Sequence, residues 1–254
     1  MSELPIGWAY CSISEICLVN PKHSPKEERS QIVSFVPMSA VSEVSGAICA
    51  PEERKLEEIW KGYTHFQNGD VIFAKITPCM ENGKIAIAEN LINGLACGST
   101  EFHVLRPELG VSGKLIWYFL RQASFREEAE PHMTGAVGQR RVPKDYLASH
   151  QYPLAPSTEQ ARIVEKLDLL FLHLQRAREE LQKVQALNTN RSEQTKLLNN
   201  LEKAILNKAF QGNLVAQNPE DESASALLER IRQEREAQAP KRRAPRKKRA
   251  VGHA

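Results

Sequence analysis

No apolar run in this 254-residue sequence approaches the ~20 residues that span a bilayer, and the N-terminus lacks the apolar core of a signal peptide. Membrane and export classes are therefore not expected. The five cysteines (Cys11, Cys17, Cys49, Cys79, Cys97) are odd in number and form no C-x-x-C pair, so they read as reduced, mostly buried thiols of a cytoplasmic protein. There is no Walker loop, H-E-x-x-H, nucleophile elbow or Gly-rich dinucleotide fingerprint. The seven histidines are scattered, none at metal-ligand spacing to another His or Cys. Asp70, Lys75, Glu81, Lys84 and Glu101 could imitate a metal-dependent nuclease, but their spacing fits no such motif. No internal repeat is visible.

The sequence also has neither proline nor glycine between Ser157 and Gln211. The prolines in Pro153-Leu154-Ala155-Pro156 hold the approach extended, and Ser157 with Gln160 has the spacing of a capping box. A continuous helix over 158–210 is predicted, ~80 Å long at ~1.5 Å per residue. Ile163, Leu167, Leu170, Leu174, Leu181 and Val184 follow at steps that fit the seam of a coiled coil, which resumes at Leu198, Leu201, Ile205 and Phe210. This stripe is expected to pair with another chain. Its polar interruption at Asn188-Thr189-Asn190-Arg191-Ser192 is a register device, a partner site or a bend.

Ahead of the helix the signals are those of strands. Val71-Ile72-Phe73-Ala74-Lys75-Ile76, Ile85-Ala86-Ile87-Ala88, Leu95-Ala96-Cys97 and Thr100-Glu101-Phe102-His103-Val104-Leu105-Arg106 are separated by Asn82-Gly83 and Asn93-Gly94 and preceded by Asn68-Gly69. Asn-Gly suits tight hairpins, so three or four neighbouring antiparallel strands are expected. Ser112 should cap an amphipathic helix with Leu115, Ile116, Phe119 and Leu120 inward and Lys114, Arg121 and Arg126 outward. The fold class is α+β: one domain over 1–154 with a small, largely antiparallel sheet, then a helical spacer over 155–212. A linker with a short helix follows over 213–236, and a disordered basic tail over 237–254.

The net charge of +3 conceals an asymmetry. Seven of the 34 basic residues lie in Lys241-Arg242-Arg243-Ala244-Pro245-Arg246-Lys247-Lys248-Arg249, so 27 bases face 31 acids elsewhere. The tail reads as a salt-sensitive, non-specific nucleic-acid tether. On the body, a nucleic-acid surface must be a local patch. The loop 135–142 carries Gln139, Arg140 and Arg141 on a flexible glycine frame, and Arg and Gln can bond guanine and adenine bidentately. Lys75, Thr77, Asn82 and Lys84 around a neighbouring turn, with Ser99 and Thr100 at a strand start, suit phosphate and base contacts.

With these residues in view, the chain resembles the specificity subunits of type I restriction–modification systems. The resemblance is carried by Leu4-Pro5-Ile6-Gly7-Trp8, by Gly69-Asp70-Val71-Ile72-Phe73-Ala74-Lys75-Ile76-Thr77-Pro78 with Asn82-Gly83-Lys84, and by Ser99-Thr100-Glu101-Phe102-His103-Val104-Leu105-Arg106-Pro107. Tyr152-Pro153-Leu154-Ala155-Pro156 with Glu159-Gln160-Ala161-Arg162-Ile163-Val164, and Ala209-Phe210-Gln211-Gly212-Asn213-Leu214, complete it. It implies a target-recognition domain on a helical spacer, in a non-catalytic subunit that reads half of a bipartite DNA site in a bacterial or archaeal cytoplasm. It also implies docking of modification (methyltransferase) and restriction subunits, which would bind S-adenosylmethionine, ATP and Mg²⁺. Such subunits usually hold two recognition units where this sequence shows one, so pairing with a copy or a second half-subunit through the long helix is implied. The alternative is a coiled-coil adaptor whose first domain binds protein.

Overall fold

The structure, a computed structural model, describes residues 4–185 and 191–238. The first elements are β1 (Ala9–Ser12), α1 (Ile13–Ile16), β2 (Cys17–Val19), β3 (Ile32–Val36), β4 (Glu52–Lys55), α2 (Leu56–Ile59) and β5 (Thr64–Gln67). Next come β6 (Val71–Ala74), β7 (Ile85–Ile87), β8 (Leu95–Gly98), β9 (Phe102–Pro107), α3 (Gly113–Leu120), α4 (Ala123–Ala129), α5 (Lys144–Ser149) and β10 (Gln151–Leu154). Three longer helices end the described chain: α6 (Ser157–Gln185), α7 (Arg191–Phe210) and α8 (Ala224–Gln238).

The α+β class is as expected, but the strands divide differently. The order β2-β9-β6-β7 makes one antiparallel sheet, and β4-β3-β8-β5 a second in which β3 and β8 run parallel. β1 and β10 form a separate antiparallel pair. Every residue of β6 is buried, as its unbroken apolar run requires of a strand covered on both faces. Of the three Asn-Gly steps only Asn82-Gly83 lies between paired strands, β6 and β7. Asn68-Gly69 and Asn93-Gly94 are corners where the chain crosses from one sheet to the other, so β8 pairs with β3 and β5 and not with β7. At the first corner the Asn68 side-chain oxygen accepts from the Leu91 N–H (3.0 Å), and the Asp70 carboxylate accepts from the Gln67 N–H (2.8 Å). Side-chain hydrogen bonding at these polar turns ties distant loops together instead of closing hairpins.

Ser112 caps α3, its hydroxyl accepting from the Leu115 N–H (3.3 Å), and Leu115, Ile116, Phe119 and Leu120 are buried as predicted. Arg121 and Arg126 do not face outward. Both are half-buried: Arg121 donates to the Val44 carbonyl (3.1 Å), and Arg126 donates back to the Arg121 carbonyl.

The predicted continuous helix is two helices. Arg178 on α6 donates to Asn199 (3.2 Å) and to Glu202 on α7, residues that would lie some 30 Å apart on one straight helix. α7 therefore runs back along α6 as an antiparallel hairpin, and Phe210 returns to pack edge-on against Phe119 (5.4 Å between centroids). The cause is the apolar stripe itself, which finds its cover inside the chain. Ile163, Leu167, Leu174 and Ile205 are buried, and Leu170 and Leu198 pack against the same core. Four of these six seam residues are thus enclosed within the chain, and Leu170 and Leu198 are half-buried. Leu181 is half-buried, while the side chain of Val184 and residues 186–190, which hold most of the polar interruption, lie outside the described residues.

The predicted capping box at Ser157 does not form. The Gln160 carboxamide instead accepts from the Ser112 N–H (2.7 Å) and donates to the Ala155 carbonyl (3.0 Å). The segment expected as a linker is built into the fold: α8 buries Ala224, Leu227, Leu228 and Ile231, and Arg235 donates to Glu108 (2.7 Å) and the Ser14 carbonyl (2.6 Å). The basic run 241–249 lies outside the described residues.

Candidate nucleic-acid interface

The loop 135–142 hangs from the end of β6, and backbone bonds fix its base. The Thr77 N–H donates to the Arg140 carbonyl (3.0 Å), the Val142 N–H to the Lys75 carbonyl (2.8 Å), and Thr134 and Arg141 exchange bonds of 3.0 and 2.8 Å. The Thr77 hydroxyl accepts from the Arg140 N–H (3.1 Å). Buried His103 lies beneath. Its Nε2–H donates to the Val142 carbonyl (2.8 Å), and burial lowers its pKa, keeping the ring neutral. The tip is a closed turn, with the Gln139 N–H donating to the Ala136 carbonyl (2.9 Å). Gly135 has φ of +121°, and a Cβ there would stand 2.8 Å from the Gln139 carbonyl oxygen. The glycine frame forms a closed turn, and residues 135–139 are exposed on it.

Around this loop the structure assembles most of the predicted contact residues. The Lys75 N–H donates to the Glu101 carbonyl (2.9 Å), which joins the strand start carrying Ser99 and Thr100 to the loop base. Glu81, in the turn that contains Asn82, lies 3.9 Å from Arg140. Gln139, Thr100 and Asn82 are exposed, and Lys75 is half-buried. Several predicted contacts have other partners: the Thr77 hydroxyl takes the Arg140 N–H as above, and two more are engaged away from the loop. Lys84 donates to the Met38 carbonyl (3.3 Å), and Ser99 turns its hydroxyl inward to accept from the Glu101 N–H (3.2 Å).

The arginines are not bare cations. Arg140 pairs with Glu130 (3.1 Å) as well as approaching Glu81. Arg141 meets the Glu101 carboxylate with two parallel bonds, Nε to Oε2 at 2.9 Å and Nη2 to Oε1 at 2.8 Å, and its Nη1 donates to the Gln139 carbonyl (2.9 Å). These bonds hold the Glu101 carboxyl below its ordinary pKa. Asp70, the third carboxylate of the nuclease-like set, is buried in a fork with Arg106 (2.8 Å to each oxygen). Each acid of that set thus faces an arginine, Glu81 sharing Arg140 with Glu130, and among the described residues no His, Cys, Asp and Glu side chains are grouped as a metal site. The acidic partners Glu81, Glu101 and Glu130 were not read as part of this interface. An ion pair across 40 residues, as between Glu101 and Arg141, leaves no local pattern in a sequence.

A second assembly joins the motifs at the two ends of the described chain. The Trp8 indole donates to Glu159 (3.1 Å), and Gln217 donates to the other carboxylate oxygen (2.6 Å). Arg162 forks onto Asp221 (2.6 and 3.4 Å), and the Ala224 N–H donates to the Gly7 carbonyl (2.7 Å).

No family model matches the chain. Over 92% of its length it is 36% identical to the type I restriction enzyme EcoEI specificity subunit and 35% identical to the EcoAI specificity subunit, both from Escherichia coli. It spans 44% and 45% of those two relatives, just under half. In fold it is similar to a chain from a study of complex assembly and conformational transition of the type I R-M system, with a TM-score of 0.63 and 23% identity, covering 73% of this chain and 47% of that one. It is also similar to the HsdS subunit from Thermoanaerobacter tengcongensis, with a TM-score of 0.61 and 24% identity over the same shares. The chain is thus a relative of the specificity subunits of type I restriction enzymes, and corresponds to about half of one.

Proposed function

We propose that this chain is a non-catalytic DNA-specificity unit of a type I restriction–modification enzyme, and that it reads one half of a bipartite site. The observation that carries the reading is the ordered, exposed turn 135–139, flanked by Arg140, Lys75, Thr100 and Asn82, in a relative of specificity subunits. Gln139 and Arg140 supply base-edge donors and acceptors, while Lys75, Thr77 and Asn82 set the register on phosphates. Modification and restriction subunits dock on it and bring S-adenosylmethionine, ATP and Mg²⁺. Its place is the cytoplasm, consistent with five unbridged cysteines.

Pairing with a copy or with a second half-subunit is part of the same reading, but its surface keeps only Leu201 of the seam first expected. With most of that seam covered, the hairpin still exposes Leu169 (48%), Leu172 (44%), Leu197 (69%) and Leu201 (48%). Exposed leucines on both arms suit an apolar contact with another helix.

The test is selection of bound duplexes from a random-sequence library by the full chain together with its modification subunit. One enriched half-site supports the reading, and Arg140→Ala should relax it at one or two base pairs by ~1–3 kcal/mol. No enrichment, with tight binding to the modification subunit, would favour an adaptor instead.

A further inference from the structure

The two arginines of the loop differ in what they have left to offer. Three nitrogens of Arg141 are each engaged, two on Glu101 and one on the Gln139 carbonyl, and its backbone bridges both Thr134 and Ile76. Arg140 has one carboxylate at 3.1 Å and one at 3.9 Å, on two different elements. Glu101 stands at the mouth of β9, one residue before the strand, where the Lys75 N–H holds its carbonyl. A carboxylate so placed gives a planar fork to a planar guanidinium, an arrangement that fixes orientation as well as distance.

We propose that Glu101 is a positioning residue of the DNA-reading loop: its fork latches Arg141 as a structural clamp that sets the height and angle of the 135–139 turn, leaving Gln139 and Arg140 as the readers. The pair is neutral as a unit, so the latch adds no phosphate attraction. Its contribution is to the geometry of the tip, which sequence discrimination requires and non-specific phosphate binding does not. A fork from one rigid strand end also explains how a turn with five exposed residues can hold one shape. The aiming role rests on the DNA-specificity reading, whereas the latch itself is testable without DNA.

The full chain and its variants are compared in the library selection with the modification subunit present. The readout is affinity for the wild-type-selected duplex divided by that for an unselected duplex of equal length. Glu101→Gln and Arg141→Lys should each lower this ratio about tenfold or more, because both lose the planar fork. Exchanging the charges, Glu101→Arg with Arg141→Glu, should restore it to within about threefold, since a clamp works in either direction and a base reader does not. Ratios within about twofold of wild type in both single variants would overturn the proposal. So would a loss confined to one base pair that the exchange cannot recover.

Amide hydrogen exchange over residues 134–141 of the DNA-free chain tests the latch separately. Protection should fall in Glu101→Gln and return in the exchanged pair, and unchanged protection would overturn it. A wild-type chain that selects no sequence would overturn the DNA reading and the aiming role together, and the exchange data would still show whether the latch exists.

Discussion

Trp8 and Glu159 meet across 151 residues of sequence, indole N–H to carboxylate at 3.1 Å. The Trp8 side is the turn before β1; the Glu159 side is the first turn of α6. Glu159 is only 1% exposed, and burial raises its pKa above the ordinary 4.5 despite the two donors that favour the carboxylate. A carboxyl with a raised folded pKa binds more protons in the native chain than in the unfolded one. Its contribution is therefore fully present below about pH 4.5 and is lost as pH rises through the folded value.

The protonated carboxyl and a carboxamide are near-isosteric, each with one strong acceptor, so Glu159→Gln should cost no more than ~1 kcal/mol of stability below pH 4.5. The deficit relative to wild type should shrink as pH rises from 4.5 towards 7. Urea unfolding of both chains across that window measures it, and a deficit that grows with pH would contradict the sign.

Gly212 ends α7 with φ of +70°, and a Cβ there would stand 2.1 Å from Pro5 Cγ. Gly138 has φ of +79° with nothing within 4 Å. Gly212→Ala should therefore cost clearly more than Gly138→Ala, about 3 kcal/mol or more against about 1 kcal/mol. The comparison of denaturation midpoints separates steric clash from backbone strain, since only the first differs between the sites.

Asp70 and Arg106 make the buried fork that a search for carboxylates first presents as chemistry. Asp70→Asn should leave the half-buried Arg106 guanidinium without its charge partner and destabilise the chain by ~2–3 kcal/mol. The same variant should leave the selected DNA sequence unchanged in whatever fraction remains folded. A shift in preference with no loss of stability would return Asp70 to the functional site.

Leu201→Lys tests the pairing surface. At 48% exposure on α7 it should alter thermal unfolding of the isolated chain very little, within about 0.5 kcal/mol. Sedimentation of the chain, alone and with its modification subunit, should show weakened association. Unchanged association would move the contact away from this face of the hairpin.

Much of the fold could be read from local pattern, and the limits are physical. The apolar run of β6 and the Ser112 cap were visible because strand burial and capping are short-range. The hairpin was not, because a seam of leucines has the same period whether its cover is another chain or the same chain returning. The two Asn-Gly corners failed as hairpin signals for a related reason: positive φ fixes a turn but not which strands pair beyond it. In the candidate interface, the exposed positions of Gln139 and of the turn carrying Asn82 agree with what their residue types suggested. What Lys84 does was not legible, since Met38 lies 46 residues away and reaches it only in the folded chain, whereas the Ser99 hydroxyl takes the amide of Glu101 two residues on, a local turn.

The doubling back of α7 along α6 can be expressed in units of DNA. A continuous 53-residue helix would reach ~80 Å, more than two turns of the double helix, whereas the 29 residues of α6 reach ~43 Å, little more than one. Seven residues added to each arm would lengthen the hairpin by ~10 Å, the rise of about three base pairs. Under the proposed reading, the gap between two half-sites joined through such hairpins is counted in arm length, independently of every side chain that reads a base.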